Sequence, residues 1–284
     1  LYCEQMRRDD SEVLSLVRQL GGDSTKYIRE RRRAVRAIVS EVWSPPRVTA
    51  AAKLLPELRC IPGLAMDLTT SDEFGQPWDF DNVGQRIRAR KLLEEQKPML
   101  LIGSPMCTAF STWQYINNRK RDPTTVSREY IRAMVHIRFS MELYEMQRAA
   151  GRYFLHEHPA SASSWAKEEV RRIARMPAVE IATGDQCQYN AQDSIGSPIR
   201  KPTKFMTNSP HIAKALSKRC AGRLGQCSRA NGGTHVLCSG ARARAAAIYP
   251  FALCRAILTG FRDQMVADGP VSYTHLRAHE TTSD

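Results

Sequence analysis

The sequence predicts an α/β protein with a largely parallel sheet and helices on both of its faces. Three observations carry this expectation. Short apolar runs alternate with segments of helical period, most of those runs end at Gly, Pro or acidic residues, and the composition is that of a globular chain. The 284 residues can bury a sizeable core, and 42% apolar with 25% charged residues is ordinary for one.

The elements follow in order. Residues 27–36 read as a basic amphipathic helix, and residues 37–43 as a strand. "SPPRVTAAAKLLPEL" is a loop opening a helix, with Pro in the first turn, where its missing N–H costs little. "GLAMDL" is a short buried strand, "DNVGQRIRARKLLEEQK" a helix and "PMLLIG" a second clear strand. Residues 129–150 place Ile131, Met134, Val135, Phe139, Leu143 and Met146 at helical spacing, so this Met-rich stripe is expected in the core. "YFLHEH" is a strand, Ser164 is the expected cap of a helix reaching Arg175, and "AVEIATGD" is a further strand. From residue 186 to 240 regularity gives way to Gly, Ser, Pro, Cys and basic residues. The helical pattern returns over 241–265, as one helix or as two broken at Pro250. The expected units are therefore a basic helical segment (1–36), a sheet domain (37–185), a basic lobe (186–240) and a helical return to the large domain (241–269). The tail 270–284 resembles a translated sequencing-adapter peptide and is set aside.

Charge is unevenly spread. The formal net charge is +13, and from Ser194 to Arg262 there are twelve Lys or Arg and no Asp or Glu. A charge run is commonly a solvated face, but a stretch this long without a carboxylate points to a polyanionic partner, above all nucleic acid. No apolar run approaches the roughly 20 residues of a membrane span, so no membrane partner is expected. Eight scattered cysteines predict reduced thiols and an intracellular setting, nuclear or cytoplasmic. The start at Leu1 suggests a piece of a longer chain.

In an open parallel sheet, ligands bind beyond the carboxyl ends of the strands. Asp67, Cys107, Glu157 and the pair Asp185-Gln186 all fall there. Each has a plainer reading, a buried cysteine or a helix-capping carboxylate, but four at successive strand ends form a constellation. Cys107 is either filler at a tight strand exit or a thiol presented to a substrate beside a helix start, where backbone N–H groups favour the thiolate. With His156 or His158 it could also make a thiol hydrolase, although no orienting Asn or Asp is evident. Cys220, Cys227, His235 and Cys238, spaced C-x6-C-x7-H-x2-C, could close a structural zinc site, without the paired C-x2-C knuckles of stronger signatures.

The ordered motifs resemble those of DNA cytosine-5 methyltransferases. "GSPMCTAFS" is similar to their G-x-P-P-C-Q-x-F-S element, with Met106 and Thr108 as departures. "HEHP" resembles their Glu-Asn-Pro strand end, with His158 in place of Asn. "DQCQYN" followed by "RKPTKFMTNSP" resembles the Q-Y-G…K-P-T…T-N segment of phage-type members, and "AAAIYPFALCRAI" their closing helix. The chain also resembles domains inside mobile-element polyproteins of algae and dinoflagellates. The resemblance spans about residues 41–260 and implies a Rossmann-like methyltransferase sheet with a small irregular basic lobe. It further implies S-adenosylmethionine as cofactor, DNA as partner, Cys107 as nucleophile and Glu157 as proton donor. Ser44, Asp67, Asp79, Ser104 and Pro105 would line the cofactor, and Gln186, Gln188, Lys201, Lys204, Arg242 and Arg244 would meet nucleic acid.

The chemistry explains the residue types. A thiolate adding to C6 of cytosine makes C5 nucleophilic, Glu157 would supply a proton to N3, and the base must leave its stack to be reached. One departure stands out. The family's glycine-rich turn after the first strand is replaced here by "EVWSPPRVTA", with two prolines and no glycine. The alternative function is thus a decayed, methyltransferase-like nucleic-acid-binding domain of a retrotransposon-type polyprotein.

Overall fold

The computed structural model describes residues 14–23 and 38–268. The basic segment expected over 27–36 and the tail from 270 lie outside the described residues, as do the side chains of Tyr115, Ile116, Ala241 and Arg244.

Six strands form one mixed sheet in the order β2-β1-β3-β4-β6-β5, with β1 Ile38–Val42, β2 Ile61–Met66, β3 Leu100–Gly103, β4 Tyr153–Pro159, β5 Glu180–Asp185 and β6 Pro202–Thr207. Strands β1 to β4 are mutually parallel, and β6 runs antiparallel to both β4 and β5. From residue 38 onward the helices among the described residues are α1 Val48–Leu54, α2 Val83–Gln96, α3 Gln114–Asn117, α4 Pro123–Ala149, α5 Glu168–Ala174, α6 Pro210–Ala215, α7 Gly240–Ala245 and α8 Phe251–Ala267, and residues 14–19 are also helical. Among the described residues no helix is long and apolar enough to cross a membrane.

Side-chain alternation along the strands divides the core into two layers. Val39, Leu100, Ile102, Leu155 and Phe205 pack with α1, α6 and α8 on one face. Val42, Leu101, Phe154 and Met206 pack with α2, α4 and α5 on the other. The chain leaves β1 toward β2 on one side, while the later strands extend from β3 on the other. The order therefore reverses between β1 and β3, which makes this the switch point of the sheet.

Two expectations are corrected. The basic stretch 186–240 contributes β6 and α6 to the sheet layers, so the irregular part shrinks to two loops, residues 186–201 and 216–239. Ser164 caps no α-helix. It lies in a 3-10 turn, its hydroxyl is spent on His158 at 2.6 Å, and α5 starts only at Glu168. Of the two readings of the closing segment the second holds, with α7 and α8 separated before Pro250. The long Met-rich helix begins earlier than its apolar stripe suggests, because Asp122 caps it and Pro123 opens it.

Candidate functional site

Cys107 follows β3 and precedes a single 3-10 turn, Thr108–Phe110. The strand ends at Gly103, where a side chain would run into the Tyr144 hydroxyl. The turn carrying Cys107 is held by His158, one strand over. His158 donates from Nε2 to the Pro105 carbonyl at 2.9 Å and accepts from the Ser164 hydroxyl at its Nδ1, so both ring nitrogens are used. The histidine standing in the Asn position is thus a buried brace for the nucleophile turn. Burial is the main reason that its pKa is lowered.

Glu157 lies between His156 and His158 on β4, so alternation turns it to the opposite face, toward α8. It is 6% exposed, and its Oε1 has no hydrogen-bond partner. The Lys201 ammonium stands 3.8 Å from that oxygen, close enough for an ion pair and too far for a hydrogen bond. Lys201 is anchored by donating to the Ala246 carbonyl at 3.0 Å. Tyr249, at the start of the α8 segment, closes the site by a short hydroxyl contact with Ser104. Burial, then the charge of Glu157, keeps the Tyr249 phenol well above its usual value.

Cys107 senses the same charges. Burial raises its thiol pKa, the Glu157 carboxylate raises it further, and Lys201 pulls it down. Cys107, Glu157 and Lys201 therefore stand within electrostatic reach of one another at the carboxyl edge of β3 and β4. The expectation that a helix start would favour the thiolate is overturned. A 3-10 turn of three residues supplies little dipole, and burial beside a carboxylate outweighs it.

Asp67 ends β2 on the same edge, half-buried, with its Oδ1 accepting from the Thr69 N–H and hydroxyl at 3.0 and 2.7 Å. Asp79 is also half-buried and accepts from the Asp81 N–H at 3.0 Å. At the switch point itself several polar groups are satisfied from within. The Glu41 carboxylate, fully buried, accepts from the N–H groups of Arg47, Val48 and Thr49 and from the Thr49 hydroxyl, and so caps α1. The Trp43 N–H donates to Met66 and the Ser104 N–H to Val42. The Ser44 hydroxyl donates to the Pro45 carbonyl, and the two prolines have no N–H. Trp43 takes the left-handed conformation (φ 57°) in place of a glycine, and its indole packs on Phe80, Phe139 and His136. An aromatic residue in that region is strained by about 1–3 kcal/mol.

These residues do not fit S-adenosylmethionine as the resemblance implies. Its amino-acid end needs free backbone N–H groups at the first turn, and those of α1 and of the two strand ends are consumed internally. Asp67 and Asp79 retain acceptor oxygens.

The residues expected to meet nucleic acid divide. Gln186 is buried and donates to Thr203, and Gln188 donates to the sulfurs of Cys187 and Cys227. Lys201 is paired with Glu157, and half-buried Lys204 lies over the Trp165 ring. Arg242 is exposed and pairs with Asp193, and the side chain of Arg244 is outside the described ones. Lys214, Lys218, Arg219, Arg223 and Arg255 are exposed. The metal expectation is corrected in one ligand. Cys187, Cys220, Cys227 and His235 form one cluster, and Cys238 is outside it. Sequence spacing could not have found Cys187, which β5 delivers from 33 positions before Cys220.

Comparison of the chain with protein-family models found no match, and comparison with curated proteins found none.

Proposed function

We propose that this chain is a nucleic-acid-binding domain of cytosine-methyltransferase type, whose Cys107 pocket receives a base turned out of its strand and adds the thiol to it. One observation carries the reading: a cysteine, a buried carboxylate with an unpartnered oxygen and a lysine meet at the carboxyl edge of β3 and β4.

The step balances without a cofactor. The Cys107 thiol gives its proton to the Glu157 carboxylate as its sulfur forms a bond to C6 of cytosine, and Glu157 passes that proton on to N3. The ring becomes an enamine. A solvent proton adds at C5, the original C5 hydrogen leaves, the S–C6 bond breaks and Glu157 carries the N3 proton back to the sulfur. The net result is exchange of the C5 hydrogen with water. Lys201 assists by favouring the thiolate. His158 is a positioning residue, acting through the Pro105 carbonyl. The exposed basic residues around α6 and the loop after it provide the phosphate contacts that a turned-out base requires. Methyl transfer, which the resemblance also implies, has no step here, because the switch point is closed by its own hydrogen bonds.

The test is release of tritium from DNA labelled at cytosine C5. The wild-type chain should release it without added cofactor. Cys107→Ser should bind the same DNA and release none. Binding without release by the wild type would refute the pocket's role.

A further inference from the structure

We propose that Cys187, Cys220, Cys227 and His235 form a structural zinc site that holds the basic loop 217–239 against the sheet. The three sulfurs and one imidazole nitrogen all lie within 4.8 Å of one another. Cys220 Sγ is 3.9 Å from Cys227 Sγ and 3.6 Å from His235 Nε2. A tetrahedral zinc ion with Zn–S of about 2.3 Å and Zn–N of about 2.0–2.1 Å has S···S edges of about 3.8 Å and S···N edges of about 3.6 Å. Two edges of that tetrahedron already have these lengths, and the other four are within 4.8 Å.

The surroundings suit thiolates. The Ser228 N–H and hydroxyl both donate to Cys220 Sγ at 3.5 Å, and Gln188 donates to Cys187 Sγ and Cys227 Sγ at 3.7 and 3.8 Å. Donors converging on sulfur are the outer shell of a metal–thiolate centre. Three free sulfurs in mutual contact cannot all be satisfied by disulfides, since one is always left over.

The fold also needs the ion. Between residues 217 and 239 the buried residues are Cys220 and Cys227 alone, and only half-buried Val236 and Cys238 add packing on a small apolar cluster, so little core fixes this loop. The ligands come from separate places: Cys187 from the turn after β5, Cys220 from the end of the α6 segment, and Cys227 and His235 from two arms that pair through Gln226 and Thr234. A shared ion would tie these to Asp185, which already accepts from the Cys220 N–H at 2.8 Å.

The test uses the full chain, purified under reducing conditions without a metal-affinity step. Elemental analysis should return about one zinc per chain. Replacement by cobalt should give the intense visible absorption of a tetrahedral thiolate-bound ion. Cys238→Ser should keep the metal unchanged, and Cys187→Ser should weaken binding by about tenfold or more. If Cys187→Ser does not fold, the wild-type zinc content and cobalt spectrum still decide. A wild-type chain without stoichiometric zinc or without the tetrahedral spectrum overturns the proposal, as does full zinc affinity in Cys187→Ser or its loss in Cys238→Ser.

Discussion

Acidification should destabilise this protein through two histidines, and the amount can be worked from their surroundings. His156 and His158 are 0% and 1% exposed on the same face of β4. His156 meets the Tyr144 hydroxyl at Nδ1, while its Nε2 is buried without a partner. Burial holds its pKa well below 6.5, and the neighbouring His158 adds to that. Burial also lowers His158, against the pull of Glu157 and of the Pro105 carbonyl. Unfolding releases both to titrate near 6.5. Below that pH the unfolded chain binds more protons than the native one, so stability is intact above 6.5 and falls as the pH drops toward the native values. Each histidine contributes about 1.4 kcal/mol per pH unit over that window, and the pair about 2.7. His156→Gln keeps an acceptor for Tyr144 and removes one titration. Urea unfolding at about pH 7.5 and about pH 5.5 should show the wild type losing about 1.4 kcal/mol more than the variant. Metal ligands also take up protons in acid, but that loss is common to both proteins and cancels. Parallel stability curves for the two proteins would refute the reasoning.

Three further outcomes are expected. Glu41→Gln leaves one acceptor oxygen for four donors at the start of α1 and should cost about 2–4 kcal/mol in urea unfolding; a loss below about 1 kcal/mol would show the cap to be unimportant. Calorimetric titration with S-adenosylhomocysteine should give no binding heat, and DNA carrying 5-fluorocytosine should form no stable adduct with S-adenosylmethionine present; a trapped adduct would overturn the reading of the switch point. DNA affinity should fall by about a hundredfold between about 50 and 200 mM salt if about four phosphates are contacted, and a flat dependence would exclude the basic surface.

Much of the architecture was legible in the sequence. The apolar runs that became β1 to β5 and the helical periods of α2 and α4 were visible because burial on a sheet face or a helix stripe leaves a local pattern. Strand β6 was hidden in "KPTKFMTNSP", where two lysines and three hydroxyl residues mask the alternation of Phe205 with its neighbours. It became a strand because β4 and β5 present open edges on either side of it.

The candidate site divides in the same way. That Cys107 and Glu157 sit at strand ends could be read directly, since each closes its own apolar run. That they stand within electrostatic reach of Lys201, that His158 braces the turn and that Glu41 closes the switch point depended on strand order and register, which bring together residues dozens of positions apart. The metal cluster makes the point most sharply. Sequence spacing selected Cys238 because it lies near His235 along the chain, whereas the fold selected Cys187 because β5 ends beside the Cys220 loop. Periodicity and residue type are local properties that the sequence by itself determined. Convergence of distant side chains is set by how the sheet is ordered, and only the tertiary structure decided it.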